Sequence, residues 1–151
     1  MKNLIHNTFV VERTYPNSAA QIFAAFADPV AKAKWFAGPP GSTAHDKSFD
    51  FRVGGGETVH TVFPNGKDAR FASRYCEIVP DRRIVYVYEM WINGEYASVS
   101  IATIEIVPGA KGTRLVITEA GAFFGSQDDA TVREQGTNLG ADNLGASLPP
   151  A

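Results

Sequence analysis

The sequence has little sulfur and no concentrated charge. Its one cysteine, Cys76, has no second cysteine with which to form an internal disulfide, which fits a reducing compartment. Fourteen Lys and Arg against sixteen Asp and Glu give a net charge of -2, and the longest basic run is the pair Arg82-Arg83. Nucleic-acid binding requires clustered positive charge, so we expect no nucleic-acid partner.

Long apolar segments are also missing. No run approaches the roughly 18 apolar residues of a membrane span, and the N-terminal segment MKNLIHNTFV has no apolar core of a signal peptide. We therefore expect a cytoplasmic protein with no membrane partner. The length of 151 residues and the hydrophobic fraction of 44% are typical of one globular domain, residues 1–151.

The N-terminal part of the chain predicts one strand and two helices. Thr8 to Thr14 is rich in β-branched residues and is predicted to be a strand. Ser18 and Gln21 have the spacing of a capping box, which predicts that a helix begins after Ser18. Asp28 followed by Pro29 predicts a second short helix, from Pro29 to Phe36, that ends at AGPPG.

The middle of the chain predicts six strands joined by short turns, which is typical of an antiparallel meander. The strand segments are FDFRV, ETVHTVF, ARFASRYCEIV, RIVYVYEMW, YASVSIATIEIV and GTRLVITEA. The run Gly54-Gly55-Gly56 is not followed by the Gly-Lys-Ser/Thr of a phosphate loop. We therefore expect it to form a bulge or sharp bend, and not a nucleotide site.

The C-terminal part predicts a long helix from Ser126, its N-cap, to about Leu148. The apolar residues Val132 and Leu139 share one side of this helix and Leu144 another, so the stripe breaks near Gly140. We expect a kink or loosened turn there, or else close packing on the sheet through small residues. The element order indicates an α+β helix-grip fold: a curved antiparallel sheet of about seven strands around the C-terminal helix, with two short helices after the first strand.

Several local motifs resemble one known group of proteins. They are VERTYPNSAAQIFAAFADP, KWF at Lys34, FRVGGG at Phe51, EIVPDRRIVY at Glu77, GTRLVITEAG at Gly112 and REQGTNLGADNLGASL at Arg133. In order and spacing they resemble the START-like (SRPBCC) superfamily, and within it the proteins similar to the C-terminal domain of the activator of Hsp90 ATPase. The resemblance implies a ligand-binding scaffold, without naming a ligand.

Aromatic residues concentrate in the segments that would line a cavity between sheet and helix. As ligand-binding residues we predict Gly140 together with the aromatic set Trp35, Phe36, Tyr75, Tyr88, Trp91, Tyr96, Phe123 and Phe124. The alternative is that these rings are simply core, because aromatic side chains dominate protein cores in general.

Two titratable residues are weak candidates for acid or base chemistry, His60 and Glu119. His60 could point inward from its strand, and Glu119 shares a face with Leu115 and Ile117. A surface or paired role is the alternative for both. The three histidines lack metal-site spacing, so we expect no metal and no cofactor, and Cys76 is predicted to be a small buried side chain.

The strand from Arg83 to Trp91 is apolar on both faces, which indicates either a bulge or a homodimer through the sheet. Three functions remain open from the sequence. The first is binding of a small, largely apolar molecule in the cavity. The second is a cyclase or dehydratase that uses His60 or Glu119 as proton carrier, and the third is an Hsp90-type protein partnership suggested by the resemblance.

Overall fold

The computed structural model describes residues 3–125 and 127–151. The elements follow one another as β1 (Ile5–Tyr15), α1 (Ala19–Ala27), α2 (Pro29–Ala33), β2 (Thr43–Phe49), β3 (Glu57–Val62), β4 (Asp68–Val79), β5 (Arg83–Ile92), β6 (Glu95–Gly109), β7 (Gly112–Phe123) and α3 (Gln127–Ser147). The strands form a single antiparallel sheet in the order β1-β7-β6-β5-β4-β3-β2. The predicted helix-grip architecture is confirmed.

The two short helices begin as their sequences predict. At α1 the backbone N–H of Gln21 donates to Ser18 Oγ (3.2 Å), and the backbone N–H of Ser18 donates to Gln21 Oε1 (3.1 Å). At α2 the backbone N–H of Val30 donates to Asp28 Oδ1 (2.9 Å). Helix α2 ends at Ala33, earlier than predicted, so Trp35 and Phe36 lie in the turn that follows it.

The prediction that FDFRV forms a strand is wrong. Only its first residue, Phe49, lies in a strand, because the edge strand β2 ends there, and the side chains of β2 are exposed except for the partly buried Phe49. Strand β2 therefore lacks the apolar alternation by which a strand is recognised. The glycine run forms a tight bend against β4, as expected: a Cβ on Gly56 would lie 1.8 Å from the carbonyl oxygen of Ser73, so no side chain fits there.

Helix α3 lies on β1 and β7, at one side of the concave face. Its buried residues on this side are Ala141 and Leu144, and the hydroxyl of Tyr15 donates to the carbonyl oxygen of Ala141 (2.6 Å). The predicted contacts of Val132 and Leu139 are wrong, since these side chains are 52% and 60% exposed. Leu144 fills the contact, and the small side chain of Ala141 lets helix and sheet approach closely beside it.

Glycines in α3 differ in what surrounds them. The helix continues through Gly140, so the loosened turn predicted there is absent, whereas a kink at Gly140 stays a prediction. The predicted N-cap Ser126 lies outside the described residues. A Cβ on Gly140 would meet only the ring of Trp35, at 4.0 Å, whereas one on Gly145 would lie 2.7 Å from the ring of Tyr15. Close packing therefore occurs at Gly145, whereas a Cβ at Gly140 would make only ordinary van der Waals contact. Within the described part of the chain, no helix is long and apolar enough to cross a membrane.

Candidate functional site

A buried polar cluster lies where β5, β6 and β7 face α3. The hydroxyl of Tyr88 donates to Glu119 Oε1, and the hydroxyl of Thr137 donates to Glu119 Oε2 (3.0 Å). Arg133 donates from Nη1 to the Tyr88 hydroxyl (3.2 Å) and from Nη2 to Ser98 Oγ (2.9 Å). We call these five residues the Glu119 cluster. Each of its polar groups has a partner, as buried polar groups require.

Burial governs the electrostatics of this cluster. Removal from water raises the pKa of the Glu119 carboxyl above its usual range, although hydrogen bonds from Tyr88 and Thr137 and the charge of Arg133 oppose the rise. Burial and the nearby carboxylate likewise raise the pKa of the Tyr88 phenol. Glu119 points inward beside the buried Leu115 and Ile117, as its alternation predicts. Its role as acid or base stays a prediction.

A second buried polar pair joins α2 to β3. The ammonium of Lys32 donates to Glu57 Oε1, and the two side chains are 9% and 11% exposed. Lys32 Nζ also lies 4.5 Å from the centre of the Phe36 ring and 5.4 Å from that of Phe49. Burial lowers the pKa of the Lys32 amine, and the charge of Glu57 only partly offsets this effect. Sequence reasoning missed the pair, because lysine and glutamate 25 residues apart give no local signal.

Three tyrosines connect the two polar sites along the concave face. The ring centres of Tyr75 and Tyr86 are 5.9 Å apart, as are those of Tyr86 and Tyr88. Burial, reinforced by the charge of Glu119, raises the pKa of Tyr86 well above its usual value. Among the described residues, no side chain or backbone group forms a hydrogen bond with the Tyr86 hydroxyl. That hydroxyl therefore has no protein partner in the described part of the chain.

Apolar side chains beside Tyr86 are left partly exposed on the concave face. Phe71 and Met90 face each other across β4 and β5, and the Phe71 ring centre lies 5.1 Å from that of Tyr88. Helix α3 makes its main contacts with β1 and β7, and it reaches β5 through Arg133 at Tyr88. We call Phe71, Tyr86 and Met90 the open apolar surface. Its sequence signal was the alternation of β5, which placed Tyr86 and Met90 on the face of Tyr88.

The predicted aromatic residues divide between the two faces of the sheet. Trp91 follows Tyr88 by three residues in a regular stretch of the β4–β5 ladder, so it lies on the convex face. Its ring centre is 5.4 Å from that of Tyr96, which stacks on Phe124 at 5.2 Å. The structure does not bring these three rings to the concave side. The predicted aromatics that lie there are Trp35, Phe36, Tyr75, Tyr88 and Phe123.

The histidine and cysteine predictions need correction. His60 pairs with Arg70 on the convex face, and its Nε2 lies 2.7 Å from Asp68 Oδ1, so it cannot serve as a proton carrier beside Glu119. Cys76 is exposed, because the β4–β5 register shifts between Tyr75 and Glu77. Within residues 3–125 and 127–151, no three His, Cys, Asp or Glu side chains form a cluster that could hold a metal.

Comparisons with known proteins agree with this architecture. The family model described as activator of Hsp90 ATPase homolog 1-like protein matches residues 16–148. A crystal structure from Rhizobium loti is 43% identical over 97% of this chain and 99% of its own, with a TM-score of 0.88. A structure from Rhizobium leguminosarum is 35% identical over 97% of both chains, with a TM-score of 0.91.

A more distant crystal structure, from Chromobacterium violaceum, is 28% identical over 96% of this chain and 99% of its own, with a TM-score of 0.78. No curated protein matches the chain. The family model covers most of the chain, and both rhizobial structures agree with it in fold over nearly the whole length. The chain therefore belongs to the activator of Hsp90 ATPase homolog 1-like family.

Proposed function

We propose that this protein binds a small, largely apolar molecule between the concave face of the sheet and α3. The observation that carries the proposal is the open apolar surface, which leaves Tyr86 partly exposed with an unpaired hydroxyl beside the Glu119 cluster. Ligand sites are mostly apolar and contain a few polar groups that fix orientation. This combination supports a binding site whose ligand has one polar end.

The glycine at position 140 also supports this site. A Cβ added to Gly140 would make only ordinary van der Waals contact with the ring of Trp35, at 4.0 Å, so α3 presents no side chain to that ring at this position. The ligand's apolar body would contact Phe71 and Met90, and its polar end would bind the Tyr86 hydroxyl or Arg133. Binding would then use charges and hydroxyls that the fold already holds in place, which lowers the entropic cost of association.

The test is a titration with the apolar fluorescent probe anilinonaphthalene sulfonate in a Trp91→Phe background, where Trp35 is the remaining tryptophan. We expect the probe to quench Trp35 and to raise the melting temperature, because a ligand that binds only the native state stabilises it. Native mass spectrometry of the purified chain would identify any natural ligand that is retained during purification.

Two matched glycine variants locate the site. Gly140→Leu places a large side chain against Trp35 and should weaken probe binding several-fold, whereas Gly136→Leu should not, because a Cβ on Gly136 meets nothing within 4 Å. Both changes replace a helical glycine and so alter helix propensity equally. Equal probe affinity in the two folded variants would show that the ligand does not lie beneath Gly140.

Four further expectations stay predictions. They are a cyclase or dehydratase reaction with Glu119 as proton carrier, an Hsp90-type partner, a cytoplasmic location and a homodimer through the sheet. The convex face supports the last of these only by its exposed apolar side chains, among them Val99 and Ile101, which are 37% and 52% exposed.

A further inference from the structure

A small cavity opens at the buried pair of Lys32 and Glu57. Its volume is about 140 Å³, and its walls include Phe36, Phe49 and Val59. The exposed residues Lys47 and Ser48 also line it, so solvent reaches the cavity from the side of β2. The cavity lies at the far end of the tyrosine series from the Glu119 cluster, and its chemistry does not depend on ligand binding beneath α3.

Lys32 differs from an ordinary lysine in its surroundings. Lysine is almost never fully buried, yet the Lys32 side chain is only 9% exposed. Its neighbours on the cavity side are two aromatic rings, and among the described residues Glu57 is its one carboxylate partner. The apolar walls favour the neutral amine, and burial lowers the Lys32 pKa accordingly. Lys34, two residues further on, is exposed and provides a natural reference.

We propose that Lys32 is a nucleophile that forms an imine with a small aldehyde entering this cavity. The amine lies at the cavity wall, and Glu57 is hydrogen-bonded to it, which is the arrangement of an activated nucleophile and its adjacent base. Buried lysines that lose their proton readily are the ones that form Schiff bases in proteins.

Glu57 accounts for the protons in the reaction. It accepts a proton from the Lys32 ammonium, and the neutral amine then attacks the carbonyl carbon to give a carbinolamine. The protonated Glu57 carboxyl returns the proton to the carbinolamine oxygen, which leaves as water while the C=N bond forms and the nitrogen proton is released to solvent. No oxidant or reductant is needed, and water can reverse the step.

The cavity limits the substrate to small molecules. An apolar cavity of about 150 Å³ accommodates benzene, so the carbonyl compound has an apolar body of about that size. The rings of Phe36 and Phe49 would contact this body, and the carbonyl group would point toward Lys32. A bulky aldehyde does not fit a cavity of this volume.

The test uses the full chain, benzaldehyde and sodium cyanoborohydride, which reduces an imine to a stable secondary amine. Peptide mass mapping then gives the labelling rate at each lysine. We expect Lys32 to be labelled several-fold faster than the exposed Lys34, and benzyl alcohol, of similar size but without a carbonyl, to slow labelling at Lys32 while labelling at Lys34 is unchanged. If wild-type Lys32 is labelled no faster than Lys34, the amine is a structural partner of Glu57 and the proposal is wrong.

Variants assign the roles within the pair. Lys34→Met should keep the fast labelling, and Lys32→Met should lose it. In Glu57→Gln the amine lacks its proton acceptor, so labelling at Lys32 should slow several-fold while labelling at Lys47 is unchanged. Undiminished labelling of Lys32 in a folded Glu57→Gln chain would exclude Glu57 as the base. The labelling rates of Lys32 and Lys34 in the wild-type chain test whether Lys32 is a nucleophile even if a variant does not fold.

Discussion

At the scale of single residues, charges on the concave side are buried only together with partners. Lys32 and Glu57 neutralise each other, and Glu119 accepts hydrogen bonds from Tyr88 and Thr137. Such arrangements are costly to disturb, because removing one partner leaves the other buried and unsatisfied. The inward position of Glu119 was predictable from strand alternation. The contact of Lys32 with Glu57 was not, since it depends on how α2 packs against β3.

Two tyrosines that both donate to a glutamate allow the effect of burial to be measured. Tyr88 is 4% exposed and donates to Glu119, whereas Tyr96 is 37% exposed and donates to Glu89 at 2.7 Å. We expect Tyr88→Phe to lower the free energy of unfolding by about 1–3 kcal/mol, because it leaves a buried carboxyl short of a donor. Tyr96→Phe should change it by less than about 0.5 kcal/mol. Urea denaturation of both variants gives the comparison.

The decrease in the free energy of unfolding caused by Tyr88→Phe should also depend on pH. The raised pKa of Glu119 means that the folded state holds this proton more tightly than the unfolded state, so the group favours folding at acid pH and loses that contribution as pH rises through its folded pKa. Loss of the Tyr88 donor raises that pKa further. The variant should therefore lose more stability at neutral pH than near about pH 4, close to the ordinary carboxyl pKa. A cost independent of pH would mean that Glu119 is not the group affected.

At the scale of elements, α3 shows where pattern analysis fails. The sequence indicated a helix from its caps and spacing, but its apolar residues predicted the contact face only in part, because Leu144 is buried while Val132 and Leu139 are exposed. Alanine and glycine carry little weight in a hydrophobic pattern, yet Ala141 and Gly145 form the contact with Tyr15. Strand β2 was not predicted from the sequence, because its side chains are polar and exposed and show no apolar alternation.

Glycines 136 and 145 of α3 should respond in opposite ways to alanine. Gly136→Ala adds a methyl group in open space and should stabilise the chain by up to about 1 kcal/mol through helix propensity. Gly145→Ala places a Cβ 2.7 Å from the Tyr15 ring, which is buried and held by its hydrogen bond to Ala141, so it should destabilise the chain. Thermal unfolding followed by circular dichroism distinguishes them. Stabilisation by both changes would mean that α3 does not rest on Tyr15 at this position.

At the scale of the whole molecule, coverage of the sheet is uneven. Strand β7 lies between β1 and β6 and contacts both α1 and α3, whereas β2 forms an edge and pairs with β3 through a register shift between His45 and Ser48. The meander and the helix order were predictable, because turn residues and caps are local signals. The uneven coverage of the sheet could not be predicted from the sequence, since it follows from the position of α3 on the sheet.

Amide hydrogen exchange should reflect this coverage. We expect residues 43–49 to exchange fastest among the strands and β7 to exchange slowest, because local opening occurs where few buried contacts must be broken. Mass spectrometry of peptides after timed labelling gives the order. Protection of β2 equal to that of β7 would show that its free edge is covered in solution, for example by a second copy of the chain.

The pairing of β1 with β7 also determines the order in which the chain can be completed during synthesis. Every other strand neighbours the strand next to it in sequence, but β1 pairs only with β7, from Ile5 opposite Phe123 to Tyr15 opposite Thr113. The hairpins from β2 to β6 can form while the ribosome is still adding residues, because their contacts are local. Of the seven strands of this sheet, β1 is synthesised first but is among the last to pair, and its apolar residues Phe9 and Val11 stay uncovered in the nascent chain until β7 has emerged.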